Sequence, residues 1–235
     1  MNQYKPVRQY LIHNPGYNQS SEPIIESASG SFLIAQDGKK YFDPSLGAGS
    51  QILGHSNLKI IKKVQEKIKD GSIYLRNNLS IHAFCQRLQE VLPERQCHYV
   101  FCNSGSEATQ RALRLARATT GRDRIGYFKG GWHGINEWTM AEGGDRFGQD
   151  INSNQDGIPA VLKKYSLLLP YNDDEAFELI QNNSEQLACI IIEPVQGSNP
   201  RDDVISFLKK LETICKKNGI ILILDEIITG FRLGL

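Results

Sequence analysis

Apolar residues in this chain change their period as the chain runs. Over residues 31–42 they alternate loosely about Asp37-Gly38, with Phe32, Leu33 and Ile34 before the pair and Tyr41 and Phe42 after it. Alternation about an Asp-Gly pair predicts a hairpin with a type I′ turn. Over residues 57–70 the spacing becomes helical. Leu58, Ile61, Val64 and Ile68 fall on one face, lysines fill the other, and Gly71 supplies the stop. A second helix is predicted over 82–92, ended by Pro93. Beyond it, short aliphatic runs alternate with helical segments. Strands are predicted at 99–102, 124–128, 166–169, 189–192 and 220–224, and helices at 107–119, 175–181 and 204–217. This alternation argues for an α/β fold, a parallel sheet with crossover helices. The unbroken run Ile220-Ile221-Leu222-Ile223-Leu224 suits a strand covered on both faces.

The remaining segments read as connections. Residues 1 to 30 are polar, carry Pro6, Pro15, Gly16 and Pro23, and predict an irregular arm. Gly47, Gly49 and Gly54 mark a flexible loop, and residues 143–157 a long, glycine-rich surface loop of the kind that is often functional.

Composition narrows the class. The hydrophobic share of 40% and charged share of 23% are those of a soluble globular protein, and 235 residues suffice for one large domain or somewhat more. A net charge of +1 gives no reason to expect nucleic acid or an anionic membrane as partner. Cys85, Cys97, Cys102, Cys189 and Cys215 are odd in number and form no CxxC pair, which predicts a reduced, cytoplasmic protein. The N-terminus shows no apolar h-region, and no apolar stretch approaches the ~20 residues that cross a bilayer.

Four segments at predicted strand ends can carry chemistry. In Asn103-Ser104-Gly105-Ser106-Glu107-Ala108, Gly105 permits a tight turn and the first amides of the following helix point outward. Those amides and the helix dipole make an anion site suited to phosphate, although the same residues also spell a simple N-cap. In Gly130-Gly131-Trp132-His133-Gly134 an aromatic ring between glycines can stack on a flat ligand and His133 can add a polar contact; a buried tryptophan beside a satisfied histidine is the plainer alternative. Glu193-Pro194-Val195-Gln196-Gly197 brings two polar groups to a third strand end, or merely a turn stopped by proline. At the fourth, Asp225-Glu226 precedes Thr229-Gly230-Phe231-Arg232. A carboxylate there can hold a pyridine nitrogen protonated. Binding Mg²⁺ in a nucleotide hydrolase would need a GxxxxGK[ST] loop upstream, which the sequence lacks.

In this order the four segments together resemble the class III aminotransferases, pyridoxal phosphate (PLP) enzymes of fold type I that include glutamate-1-semialdehyde 2,1-aminomutase. Asp37-Gly38-Lys39-Lys40-Tyr41-Phe42-Asp43 and Leu53-Gly54-His55 are similar to the family's N-terminal region. The resemblance runs from about Ile34 to the last residue. It implies a fold type I architecture, with residues 1–55 as an arm and small-domain segment and 56–235 as part of the large PLP-binding domain. It implies that Ser104, Gly105 and Ser106 cup the PLP phosphate, that Trp132 stacks on the ring with His133 beside it, that Gln196 lies near the ring hydroxyl, and that Asp225 partners the ring nitrogen. It implies no metal. Small-molecule partners would be an amino donor and a carbonyl acceptor, and the full-length protein would be a homodimer.

Departures from the family pattern matter as much. The Schiff-base lysine of the family follows the Asp-Glu segment, yet the ten residues after Asp225 contain no lysine, and Lys216 and Lys217 precede that strand. The lysine is expected beyond residue 235, together with strands that in fold type I lie between those at Tyr99 and Ile220. A partial chain of a longer enzyme, a split enzyme completed by a second chain, and a non-catalytic binding module each accommodate this, and each leaves the present chain inactive alone. Gly47-Ala48 and Ser198-Asn199-Pro200 depart from the aminomutase pattern and favour an aminotransferase.

Overall fold

The structure, a computed structural model, describes residues 23–74, 76–92, 97–142 and 157–232. Most of the expected arm, most of the 143–157 loop and Pro93 lie outside these residues. The chain divides into two compact units, one up to His82 and one from Ala83.

In the first unit, β1 (Ile25–Ser29), β2 (Phe32–Ala35) and β3 (Lys40–Phe42) form an antiparallel sheet in that order. β1 corrects the sequence reading, which gave these residues to the irregular arm. Their ladder is made with β2, Ala28 opposite Leu33 and Ser29 opposite Phe32. The hairpin between β2 and β3 stands, but its turn is not type I′. Gly38 donates to the Ala35 carbonyl and alone of the Asp-Gly pair takes a positive φ, +78°. A type I turn followed by one left-handed glycine gives this geometry, because Asp37 need not pay the cost of a left-handed backbone. At the end of β3, Asp43 accepts from Ser45 and Leu46 and pairs with His55 at 2.9 Å. Bonding to His55 and Ser45 lowers its pKa to about 2. α1 (Leu58–Ile68) is capped by Asn57, whose side chain accepts from the Lys59 and Ile60 amides.

α2 (Leu79–Val91) leads into the second unit, where α3 (Gly105–Thr120), β4 (Arg124–Phe128), β5 (Ser166–Leu169), α4 (Glu175–Asn182), β6 (Leu187–Ile192), α5 (Ile205–Asn218) and β7 (Ile221–Leu224) alternate. The strands form one parallel sheet in the order β5-β4-β6-β7. Alternate residues of each strand serve opposite faces. Phe128, Ile190 and Ile192 pack with Phe177 and Ile180 of α4 and Phe207 and Leu211 of α5. Ile125, Tyr127, Cys189 and Ile191 pack with Leu113 and Ala116 of α3. The sheet is thus covered on both faces, which is why its strands read as continuous apolar runs. Phe207 lies 4.9 Å from the Phe177 ring centroid and 5.7 Å from that of Phe128. Phe207→Ala is expected to cost about 3–5 kcal/mol in urea unfolding.

One predicted strand is missing. Residues 99–102 take no ladder position, and Val100 is 71% exposed. A strand exists by its neighbour's hydrogen bonds, and among the described residues nothing pairs with this apolar run. No described helix is long and apolar enough to cross a membrane.

Candidate active site

Strand order decides where a ligand can sit. The chain leaves β4 toward β5 on one side and leaves β6 toward β7 on the other. Between the carboxyl ends of β4 and β6 the connections diverge, and that switch point opens a crevice. Two of the four motif segments leave the sheet there and are tied together. The Trp132 amide donates to Glu193 Oε2 at 3.0 Å, Gln196 Nε2 donates to the Lys129 carbonyl at 2.9 Å, and Ser198 Oγ donates to the Gly130 carbonyl at 2.7 Å.

β7 delivers the third segment. The Asp225 amide donates to the Ile192 carbonyl, which continues the ladder one residue past the strand. Its carboxylate is buried. Oδ2 meets His133 Nδ1 at 2.8 Å, and Oδ1 accepts the Ile227 amide at 3.2 Å. An ionised carboxylate offers about four acceptor positions, so Asp225 retains capacity for another donor.

α3 brings the fourth. Ser104 is its N-cap, Oγ accepting the Glu107 amide at 3.2 Å, while Glu107 Oε2 accepts the Asn103 amide at 3.0 Å. The Asn103 bond and Arg111 hold the Glu107 carboxyl below its ordinary range. The amides of Gly105 and Ser106 have no carbonyl within their own helix to meet, and they stand at its positive end. Ser106 Oγ accepts the Ile135 amide at 3.1 Å, which leaves its own proton to donate.

These pieces touch. A Cβ on Gly105 would lie 2.7 Å from Ile227 Cδ1, and one on Gly134, whose φ is +83°, would lie 2.3 Å from Ser106 Oγ and 2.7 Å from Ser106 Cα. Gly105 therefore abuts the residue whose amide binds Asp225, and Gly134 abuts the start of α3. Trp132 is half-buried, and His133 after it is buried. Of the seven sequence-predicted residues, all but Ser104 are tied to a neighbouring segment, and two, Gln196 and His133, make bonds the sequence did not show. Ser104 spends its oxygen on the cap, Gln196 holds the β4 loop, and His133 binds Asp225.

Sequence reasoning missed Thr109 and Asn136, which clamp the His133 carbonyl at 2.7 and 2.8 Å. Asn136 also accepts the Thr139 amide at 3.2 Å, and an Asn three residues before a Thr was a readable N-cap signal.

Glu193 is the second acid of this corner. Burial raises its pKa, and the charge of Asp225 adds to that, against the opposing Trp132 amide bond and the nearby His133. A carboxyl raised in the fold is disfavoured while ionised, so its cost is fully present above the folded pKa and gone below the unfolded value. Glu193→Gln keeps an oxygen for the Trp132 amide. It is expected to raise the melting temperature at pH 7 and leave it unchanged near pH 4, a difference read by calorimetry at the two values.

The fold is that of an α/β protein with a parallel sheet whose connections diverge between β4 and β6. Residues 14–234 match the family Aminotransferase class-III, and the chain belongs to that family. It is similar to a glutamate-1-semialdehyde 2,1-aminomutase of Methanococcus maripaludis strain C5, 38% identical over 218 residues, which are 90% of this chain and 50% of that protein. Among solved structures it resembles an omega-transaminase from Sphaerobacter thermophilus, with a TM-score of 0.81 and 27% identity over 95% of this chain and 53% of that one. A transaminase with PLP bound gives a TM-score of 0.77 over 93% of this chain and 51% of that one; its 24% identity bears on the fold alone. The architecture is that of fold type I, and the chain spans about half the length of the curated relatives it matches.

Proposed function

We propose that this chain supplies the PLP-holding part of a class III aminotransferase, with residues 1–55 serving as arm and small-domain segment and 56–235 as part of the large domain. The observation that carries the reading is the buried Asp225 carboxylate, bonded to the segment that bears Trp132 and linked through Ile227 to the start of α3. In this arrangement the amides of Gly105 and Ser106 and the Ser106 hydroxyl receive the phosphate, Ser104 fixes the helix start that presents them, and Trp132 covers one face of the ring. Asp225 holds the ring nitrogen's proton. Gln196 fixes the β4 loop beside the ring hydroxyl. PLP, when bound, supplies an electron sink for amino-group chemistry.

The whole enzyme would move an amino group between an amino acid or amine and a carbonyl compound, as a homodimer in the cytoplasm, where thiols stay reduced; none of the five cysteines here is in a disulfide. Aminomutase activity is the second reading, favoured by the 38% identity to the Methanococcus enzyme. Assays of the longer protein with an amino acid and a 2-oxo acid, and separately with glutamate-1-semialdehyde, divide the two.

Titration of the purified protein with PLP tests the shared core of both readings. Binding should saturate and be displaced by inorganic phosphate, and indifference to PLP sinks both. The 235-residue polypeptide is expected to show no transaminase turnover, since the family's lysine follows the Asp-Glu segment and residues 226–235 contain none. Turnover of an amino acid by that polypeptide would contradict this.

A further inference from the structure

We propose that Ser198 is a positioning residue for Trp132, its hydroxyl fixing the backbone from which that ring projects. The inference rests on the PLP reading above and gives a role to a side chain outside the seven residues assigned to the cofactor. Three successive peptide units lead from the end of β4 to Trp132, and each takes one bond from the segment that leaves β6. The Lys129 carbonyl accepts from Gln196 Nε2 at 2.9 Å, the Gly130 carbonyl accepts from Ser198 Oγ at 2.7 Å, and the Trp132 amide donates to Glu193 Oε2 at 3.0 Å. Glu193 and Gln196 are buried, whereas Ser198 is exposed.

The middle unit has the most freedom to lose. It joins Gly130 to Gly131, so no Cβ on either side restricts its rotation. Its N–H end, on Gly131, donates to the Phe128 carbonyl at 3.1 Å and closes a turn in which Gly130 has a φ of +83°. Its carbonyl end is held by Ser198. The start of the turn is anchored independently, since the Lys129 amide donates to the Leu169 carbonyl of β5 at 2.8 Å and the Lys129 carbonyl meets Gln196. Release of the Gly130 carbonyl therefore loosens the 130–131 unit and the ring after it, while the turn itself stays on the sheet. The two side chains also close on the same glycine. A Cβ at Gly130 would lie 3.0 Å from Gln196 Oε1 and 3.5 Å from Ser198 Oγ.

The test has one arm without cofactor and one with it. In amide hydrogen exchange of the cofactor-free protein, Ser198→Ala should speed exchange at Gly131 and Trp132 about twofold to tenfold, the range of one neutral hydrogen bond, and leave the Ile227 amide unchanged. Unchanged rates at Gly131 and Trp132 overturn the proposal. In the second arm, Ser198→Ala should weaken PLP binding about twofold to tenfold and leave the affinity for inorganic phosphate as it is. Ser198→Thr, which keeps the hydroxyl, should restore PLP binding. In a Trp132→Leu background Ser198→Ala should cost nothing further, because its effect passes through the ring. Equal PLP affinity in wild type and Ser198→Ala, or the same loss with and without Trp132, overturns the proposal. Faster exchange in Ser198→Ala together with a wild-type protein that binds no PLP overturns the functional reading instead.

Discussion

Asp225→Ala is expected to do more damage than any other single change at the site. It removes the acceptor of the buried His133 Nδ1 proton and that of the Ile227 amide together. Deleting the carboxylate leaves both donors without an acceptor, at a cost of about 1–3 kcal/mol each. Urea unfolding should show that loss. Binding of PLP should fall at least a hundredfold on top of it, because the ring nitrogen loses the charge that keeps it protonated. Asp225→Asn separates the two effects. It preserves an oxygen for His133 and most of the stability, but not the negative charge, so PLP should bind with its ring nitrogen unprotonated at neutral pH. A full-strength PLP site in Asp225→Ala would mean that the carboxylate has only a structural role.

Gly134→Ala should be nearly as severe, although it touches no charged group. The backbone at 134 has a φ of +83°, and an added Cβ would overlap the Ser106 backbone. Left-handed strain and overpacking each contribute about 1–3 kcal/mol. Ser106 cannot yield by rotating its side chain, since the clash includes its Cα, so the start of α3 must move away from the Trp132 segment. Phosphate and PLP affinity should fall together. Gly105→Ala provides the contrast. Its new methyl group meets only the far end of the Ile227 side chain, which can turn aside, and its φ is not left-handed. The loss there should be small by comparison, and equal losses in the two variants would show that close approach at 134 is not what joins α3 to the crevice.

Much of this was legible because local and tertiary preferences agree. β4 and β5 run over the residues the apolar pattern predicts, since both are buried on two faces and bounded by polar turns. α3 begins earlier than its apolar face suggests, at Gly105, because Ser104 and Glu107 cap it. What failed depends on partners distant in sequence. The apolar run at 99–102 has strand character without a ladder partner among the described residues. β1 was hidden because its exposed, polar-rich pattern becomes a strand only against β2. The same limit applies at the site. Periodicity places Asp225 and His133 at strand ends, but it says nothing of the bond between residues 92 positions apart. His133 read either as a polar contact to a ligand or as a satisfied buried histidine, and the sequence did not show that Asp225 would be its partner.

The proposed site puts the cofactor phosphate at the start of α3 and the cofactor ring nitrogen at Asp225. A crystal structure of the protein with PLP tests it most directly. The phosphate is expected within hydrogen-bonding reach of the Gly105 and Ser106 amides, and the pyridine nitrogen about 3 Å from the Asp225 carboxylate. PLP ordered in the reverse sense, or bound away from the ends of β4, β6 and β7, would contradict it.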